Sequence, residues 1–182
     1  SYQWGSLKDR LLRAEIYQKQ YDNLVLWDGT SAYNPKNLRN GGDGHASGID
    51  LFWRDRKTLK NFDYWITYSF VDTKRQYQNY PERVQPPFIA KHTASVVGKY
   101  WVNAISTQFG ASFTVASGRN FDDVNTPEFM DGHTKPYSDL SLNLSKVFYL
   151  GNQYSVLYCS VSNVLGADNV VGYRAVYEFD GD

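Results

Sequence analysis

The stretch ISTQFGASFTVA, Ile105 to Ala116, decides the fold. Ile105, Thr107, Phe109, Ala111, Phe113 and Val115 alternate with Ser106, Gln108, Gly110, Ser112, Thr114 and Ala116. A period of two is the signature of a β-strand with one apolar and one polar face. Working outward, the same period recurs in Leu140, Leu142 and Leu144 against Ser141, Asn143 and Ser145. It recurs again in Tyr64, Ile66, Tyr68 and Phe70 against Trp65, Thr67, Ser69 and Val71. Ile49, Leu51 and Trp53 oppose Asp50, Phe52 and Arg54 in the same way. About eight strands are predicted, over residues 9–27, 47–54, 62–77, 91–101, 105–116, 140–145, 153–164 and 170–179. The stretch SLKDRLLRAEIYQKQ also carries leucines at helical spacing, Leu7, Leu11 and Leu12, but helix competes poorly with sheet in this context.

The connections between these strands alternate in length. A long stretch DGTSAYNPKNLRNGGDG (28–44) is followed by the short RDRKTLKN (54–61), then by the long QNYPERVQPPF (78–88). A tight turn near Val102 and Asn103 follows, then the long NFDDVNTPEFMDGHTKP (120–136), then the short YLGN (149–152). An up-and-down barrel in an outer membrane has this layout, with short periplasmic turns and long external loops. A soluble sandwich has no physical reason to keep its two ends so unequal. The fold class expected is therefore all-β, with antiparallel up-and-down strands of an outer-membrane β-barrel.

Composition agrees with that class. Of 182 residues, 15 are Tyr, 10 Phe and 5 Trp, residues that favour pleated surfaces and the lipid–water interface. The net charge is zero, which gives no argument for nucleic acid as a partner. No run of 18 apolar residues occurs, so no transmembrane helix is predicted. The negative mean hydropathy is compatible with a membrane barrel, in which only alternate strand residues must be apolar. The single cysteine, Cys159, has no partner for an internal disulfide. The chain begins at Ser1 without a signal segment and stops at Asp182 just after a strand-like run, and is expected to be a piece of something longer.

Chemistry-bearing residues gather in the long loops. Asp122, Asp123, Asn125, Glu128, Asp131 and His133 offer oxygen and nitrogen donors, but without the spacing of an EF-hand the expected role is a solvated external loop. His45, His92 and His133 are far apart in sequence and are expected to be ordinary strand-end or loop residues. No metal site or cofactor is expected. No nucleophile elbow, cysteine–base pair or phosphate-cradling loop is present, so nothing supports an enzyme. Asp72, Lys74 and Arg75 read as a charged rim where a strand leaves the apolar band, or as a charged lining of the barrel mouth. Trp27, Tyr33, Tyr77, Tyr80 and Phe88 sit at the same end, as an interfacial girdle, a sugar-stacking platform or loop packing. The candidate ligand contacts are Tyr33, Asn34, Tyr80, Arg83, Asp122 and Asp123.

The segments GHASGIDLFWRDRKTLKNFDYWITYSFVDTKR, PPFIAKHTASVVGKYWV, FTVASGRNF, DLSLNLS and SVSNVLGADNVVGYR, taken in order, carry a likeness to a known family. With the upstream AEIYQKQYDNLV they resemble barrel strands of TonB-dependent outer-membrane receptors of the kind common in Bacteroidetes-type bacteria. The resemblance spans roughly residues 9 to 177 and rests on order and spacing rather than on any one motif. It implies a barrel of about 22 strands with a plug in its lumen, powered by an inner-membrane energy-transducing complex to import scarce nutrients. This chain would be about the last third of that barrel, without the plug or the N-terminal box that meets the transducer. Its implied partners are the plug and remaining strands, outer-membrane lipid, the energy-transducing TonB complex through the missing parts, and a surface lipoprotein in glycan-importing relatives. Two other readings compete. One is a soluble β-sandwich carbohydrate-binding module, which needs the Phe109/Phe113 and Leu140/Leu142/Leu144 rows buried under a second sheet. The other is a complete small barrel that only anchors or adheres.

Overall fold

The computed structural model describes residues 1–27 and 35–173, and these form a single antiparallel meander. In chain order the strands are β1 (Tyr2–Gly5), β2 (Arg10–Trp27), β3 (Leu38–Asp55), β4 (Phe62–Gln76), β5 (His92–Val102), β6 (Thr107–Ala116), β7 (Asn120–Phe121), β8 (Gly132–His133), β9 (Tyr137–Leu150) and β10 (Gln153–Val161). Eight of them make one sheet in the order β1-β2-β3-β4-β5-β6-β9-β10, while β7 and β8 pair as a small ribbon inside a loop. No strand crosses over another, as an up-and-down barrel wall requires.

The pairing register shows how the sequence periods become faces. Ile16 of β2 pairs with Ile49 of β3, Ile49 with Phe70 of β4, and Phe70 with His92 of β5. Four residues further down β4, the row Leu12, Trp53, Ile66, Val96, Phe113 and Leu140 runs across six strands. The row Phe62, Tyr100, Phe109 and Leu144 closes the pattern at the short-turn end. These apolar side chains have nothing packed over them: Ile66 is 42% exposed, Val96 47%, Phe109 44% and Phe113 39%. The sandwich alternative needs those rows under a second sheet, and the described residues supply none. A sheet with an uncovered apolar face is stable only against lipid or another apolar layer.

That band has edges of the right chemistry and spacing. At the long-loop edge the Tyr68 hydroxyl lies 2.9 Å from His92 Nδ1, and the Phe70 ring is 5.1 Å from the His92 ring. At the short-turn edge Phe62 lies 5.7 Å from Tyr64 and 6.4 Å from Tyr100. Phe70 and Phe62 are eight residues apart, about 26 Å along a strand, or roughly 20 Å in height at the ~40° tilt of barrel strands. Membrane barrels carry an outward apolar band of about 25 Å between two aromatic girdles.

Four readings of the strands are corrected. Residues 38–44, read as part of a long loop, lie in the upper half of the 18-residue β3. Three glycines, Gly41, Gly42 and Gly44, hid that strand, and at two of them the backbone beneath is crowded: a Cβ on Gly42 would stand 2.2 Å from the Gln76 carbonyl oxygen, and one on Gly44 2.6 Å from that of Lys74. β1 was not anticipated at all, and pairs four residues with β2. Ile105 belongs to a 3-10 turn over Asn103–Ile105, and Ser106 takes a left-handed conformation before β6 begins. The eighth predicted strand, 170–179, has no strand over its described residues 170–173, and the remainder lies outside them. In its neighbourhood side chains stand in for backbone pairing. Asn169 accepts from Ser138 N–H at 3.0 Å and donates to the Ser138 carbonyl at 2.8 Å.

Candidate functional site: the loop end and the inner wall

The strands do not end level. Above the Ile49–Phe70 row, β3 continues for eleven residues to Leu38, whereas β4 continues for six to Gln76. The β2–β3 hairpin therefore stands as a stalk above its neighbours. Residues 77–91 fold back against it. Gln78 donates to the Val25 carbonyl at 2.8 Å and accepts from Trp27 N–H at 3.1 Å, passing over the glycine-lined face of β3. Arg83 forms a two-pronged ion pair with Asp43 of β3. Val84 and Arg75 exchange backbone hydrogen bonds of 2.9 and 3.2 Å.

Residues 117–136 make the second loop, braced by the β7–β8 ribbon. Thr134 accepts from Arg119 N–H at 2.9 Å through its hydroxyl, and its own N–H donates to the Arg119 carbonyl at 2.9 Å. An aromatic chain joins the two loops: Tyr77 and Tyr80 meet edge-on at 4.8 Å, and Tyr80 and Phe129 at 5.1 Å. Edge-on aromatic pairs add to the gain from burial alone. Between the loops lies a cavity of about 700 Å³, bordered by Lys74, Arg83, His92, Phe129, Asp131 and His133.

The predicted ligand contacts are placed as follows. Tyr33 and Asn34 lie outside the described residues. Tyr80 is buried, only 8% exposed, at the centre of the aromatic chain. Burial, then the hydrogen-bonded Tyr77, raise the pKa of its hydroxyl well above the ordinary tyrosine value, with Asp122 a smaller contributor. Arg83 is committed to Asp43, though its side chain remains 58% exposed. Asp123 caps its own turn, accepting from Asn125 N–H at 3.0 Å and from the Asn125 side chain at 2.9 Å. Asp122 is exposed and faces Met130 N–H at 3.5 Å. Tyr80, Arg83 and Asp122 are thus brought to one loop layer. Among the described residues no three His, Cys, Asp or Glu side chains converge as a metal site.

The face opposite the apolar rows is polar along its length. Asp50 accepts from Ser69, Thr114 donates to Ser95 at 3.3 Å, and Ser141 donates to Asp139 at 2.6 Å. Near the short turns Arg54 grips Asp63 at 2.9 and 2.6 Å, and Arg54 and Lys99 flank the Trp65 ring at 5.4 and 5.1 Å. Register parity also divides the predicted charged rim. Asp72 and Lys74 lie on the apolar side, where Asp72 meets Lys91 at 3.5 Å, and only Arg75 turns to the polar side. Of the aromatics at that end, Tyr77 and Tyr80 pack within the loops, the last of the three alternatives, Phe88 lies 6.0 Å from the Arg75 guanidinium, and Tyr33 lies outside the described residues. The girdle residues at that end are Tyr68, Phe70 and His92. Sequence reasoning missed His92 in this role, although its parity with Phe70 would have shown it once the register was known.

Comparison with solved structures gives the outer membrane transporter YddB from Escherichia coli, with a TM-score of 0.72 at 12% identity. The alignment covers 94% of this chain and 28% of that one, so the likeness is one of fold and the chain spans just over a quarter of the transporter's length. No curated protein matches the sequence. The family described as TonB dependent receptor-like, beta-barrel matches residues 1–169. A meander with one lipid-compatible face, one polar face and long loops at a single end is the architecture of such a wall, and this chain belongs to the TonB-dependent receptor-like β-barrel family.

Proposed function

We propose that the chain forms part of the wall of a TonB-dependent nutrient transporter in a bacterial outer membrane, with its long loops outside and engaged in ligand capture. One observation carries this reading: an apolar band bounded by the Tyr68/Phe70/His92 and Phe62/Tyr64/Tyr100 girdles lies opposite a polar face, beneath one layer of joined loops. In this reading the apolar face meets lipid, the polar face lines the lumen, and the cavity between loops 77–91 and 117–136 belongs to the entrance. The outer edges of β1 and β10 carry no partner strand among the described residues, and such edges are not tolerated in lipid. They call for the remaining strands of a larger barrel.

The order of the sequence segments supports a place in the C-terminal part of a Bacteroidetes-type receptor. The plug, the energy-transducing complex and a surface lipoprotein are the partners of the whole transporter. The test is made on the intact parent protein. It should run on gels as a band several times larger than 20.9 kDa that shifts on boiling. Deleting residues 120–136 in it should lower nutrient affinity while leaving the heat shift in place. Unchanged affinity would overturn the role of the loop, and a soluble band without heat shift would overturn the barrel.

A further inference from the structure

High on the polar face, just under loop 77–91, lies a recess of about 400 Å³ between β2, β3 and β4. Its upper wall is unusual in charge. Rows ascending this face read Glu15 and Asp50, then Tyr17 beside Gly48, then Lys19 beside Ala46 and Thr73, then Tyr21 beside Gly44 and Arg75. The small residues of β3 leave floor space between the long side chains of β2 and β4. Arg75 lies over the Tyr21 ring at 4.3 Å and donates to the Tyr21 hydroxyl at 3.1 Å, with Phe88 on its other side at 6.0 Å. Lys19 stands over the Tyr17 ring at 5.9 Å.

Neither cation has a carboxylate partner among the described residues, unlike Arg10, Arg54, Arg56, Arg83 and Lys91, each of which faces an aspartate. Arg75 goes further, because its Nε is shielded from solvent and has no acceptor. A buried guanidinium donor without an acceptor is costly, and an arginine held flat by rings presents a fixed fork that suits an oxyanion. Phe88, on the other side of that fork, is itself 52% exposed, and Ile89 beside it borders the recess. Asp50 accepts from Ser69, and with Glu15 it makes the lower end of the recess repel anions, so the upper end is where one would rest.

We propose that this recess is an oxyanion-binding station on the inner wall, in which Arg75 and Lys19 hold a carboxylate or phosphate of the cargo beside the rings of Tyr17 and Tyr21. The proposal rests on the transport reading above and narrows the cargo to molecules bearing such a group. As the anion enters, Arg75 Nε–H gains its acceptor.

The test uses the intact receptor purified in detergent, with 4-fluorobenzoate followed by ¹⁹F line broadening and inorganic phosphate as competitor. Saturable broadening relieved by phosphate is expected for the parent. Arg75→Gln should weaken binding by roughly tenfold or more, the scale of one charge-assisted hydrogen bond. Lys19→Gln, at an exposed position where substitutions cost little stability, should weaken it by a smaller factor. Absence of saturable binding in the parent overturns the proposal, as does binding indifferent to both substitutions. Heat-shift gels establish the barrel, and uptake of the growth-limiting nutrient by cells with and without the receptor is scored separately. Loss of the transport reading is therefore distinguishable from loss of the anion site.

Discussion

Replacing Phe113 by arginine asks the bilayer directly which face it touches. Phe113 stands on the row with Ile66 and Val96, midway between the two girdles and 39% exposed. Its chain neighbour Ser112 occupies the same depth on the opposite face, paired with Val97 and Ser141. An arginine at the bilayer midplane of a barrel's lipid face costs about 2–4 kcal/mol, a factor of roughly 30 to 1000 in the folding equilibrium. On the polar face the guanidinium stays hydrated, and Ser112→Arg should cost within about 0.5 kcal/mol of zero, as at an ordinary surface position. Phe109→Arg, level with the Tyr100 girdle, should fall to about 0–1 kcal/mol because the side chain reaches the interface. The assay is reversible denaturant unfolding of the intact protein in lipid vesicles, read by tryptophan fluorescence and heat-shifted gel mobility. Equal tolerance of Phe113→Arg and Ser112→Arg would refute the assignment of faces, and with it the membrane reading of this sheet.

Other outcomes follow from the loop layer and the wall. Tyr80→Ala removes both edge-on contacts and should destabilise the loops locally by about 3 kcal/mol, seen as faster proteolysis within 77–91 while the heat shift persists. Burial raises the Tyr80 pKa, so its stabilisation is complete below the unfolded value near pH 10 and is lost as pH climbs through the raised one. Limited proteolysis should therefore show the loops opening in strong alkali in the parent, with Tyr80→Phe blunting that change. Gly42→Val would drive a Cβ against the Gln76 carbonyl oxygen, and should release residues 77–91 from the stalk, measured as faster hydrogen exchange at Gln78 and Trp27. Cys159 pairs with Leu144 on the apolar side, so an impermeant maleimide should label it poorly in the intact receptor, whereas Ser160→Cys, one residue over, should label well when Cys159 is replaced by Ser.

Much of the sheet was legible because one physical constraint wrote it. Where a strand has a lipid face and a water face, period two is compulsory, and β4, β6 and β9 show it plainly. The upper part of β3 carries no such constraint, since it rises above the band. Its sequence answers instead to the backbone of residue 76 passing close by, which demands glycine and mimics a loop. Asn169 misled in the other direction: its side chain bonds to the Ser138 backbone of β9 as a strand would, so a strand-like segment need not continue as a strand. At the candidate site, charge was visible and direction was not. Asp72, Lys74 and Arg75 are neighbours in sequence, yet parity sends two to one side and one to the other, and only the register with β3 fixes which. The meeting of Tyr80 with Phe129, 49 positions away, had no local signal at all.

The uneven height of the strands has a consequence for exposure to the outside world. From Ile49 to Leu38 the stalk climbs about 36 Å along its own axis, well past the rim set by β5 and β6. On the transport reading proposed above, whatever approaches the cell, an antibody or a bacteriophage, meets that stalk before it meets the entrance. On the same reading, substitutions over Leu38–Asn40, high on β3, leave the apolar band and the inner wall untouched, so the surface seen by an adversary can drift while the passage below keeps its chemistry.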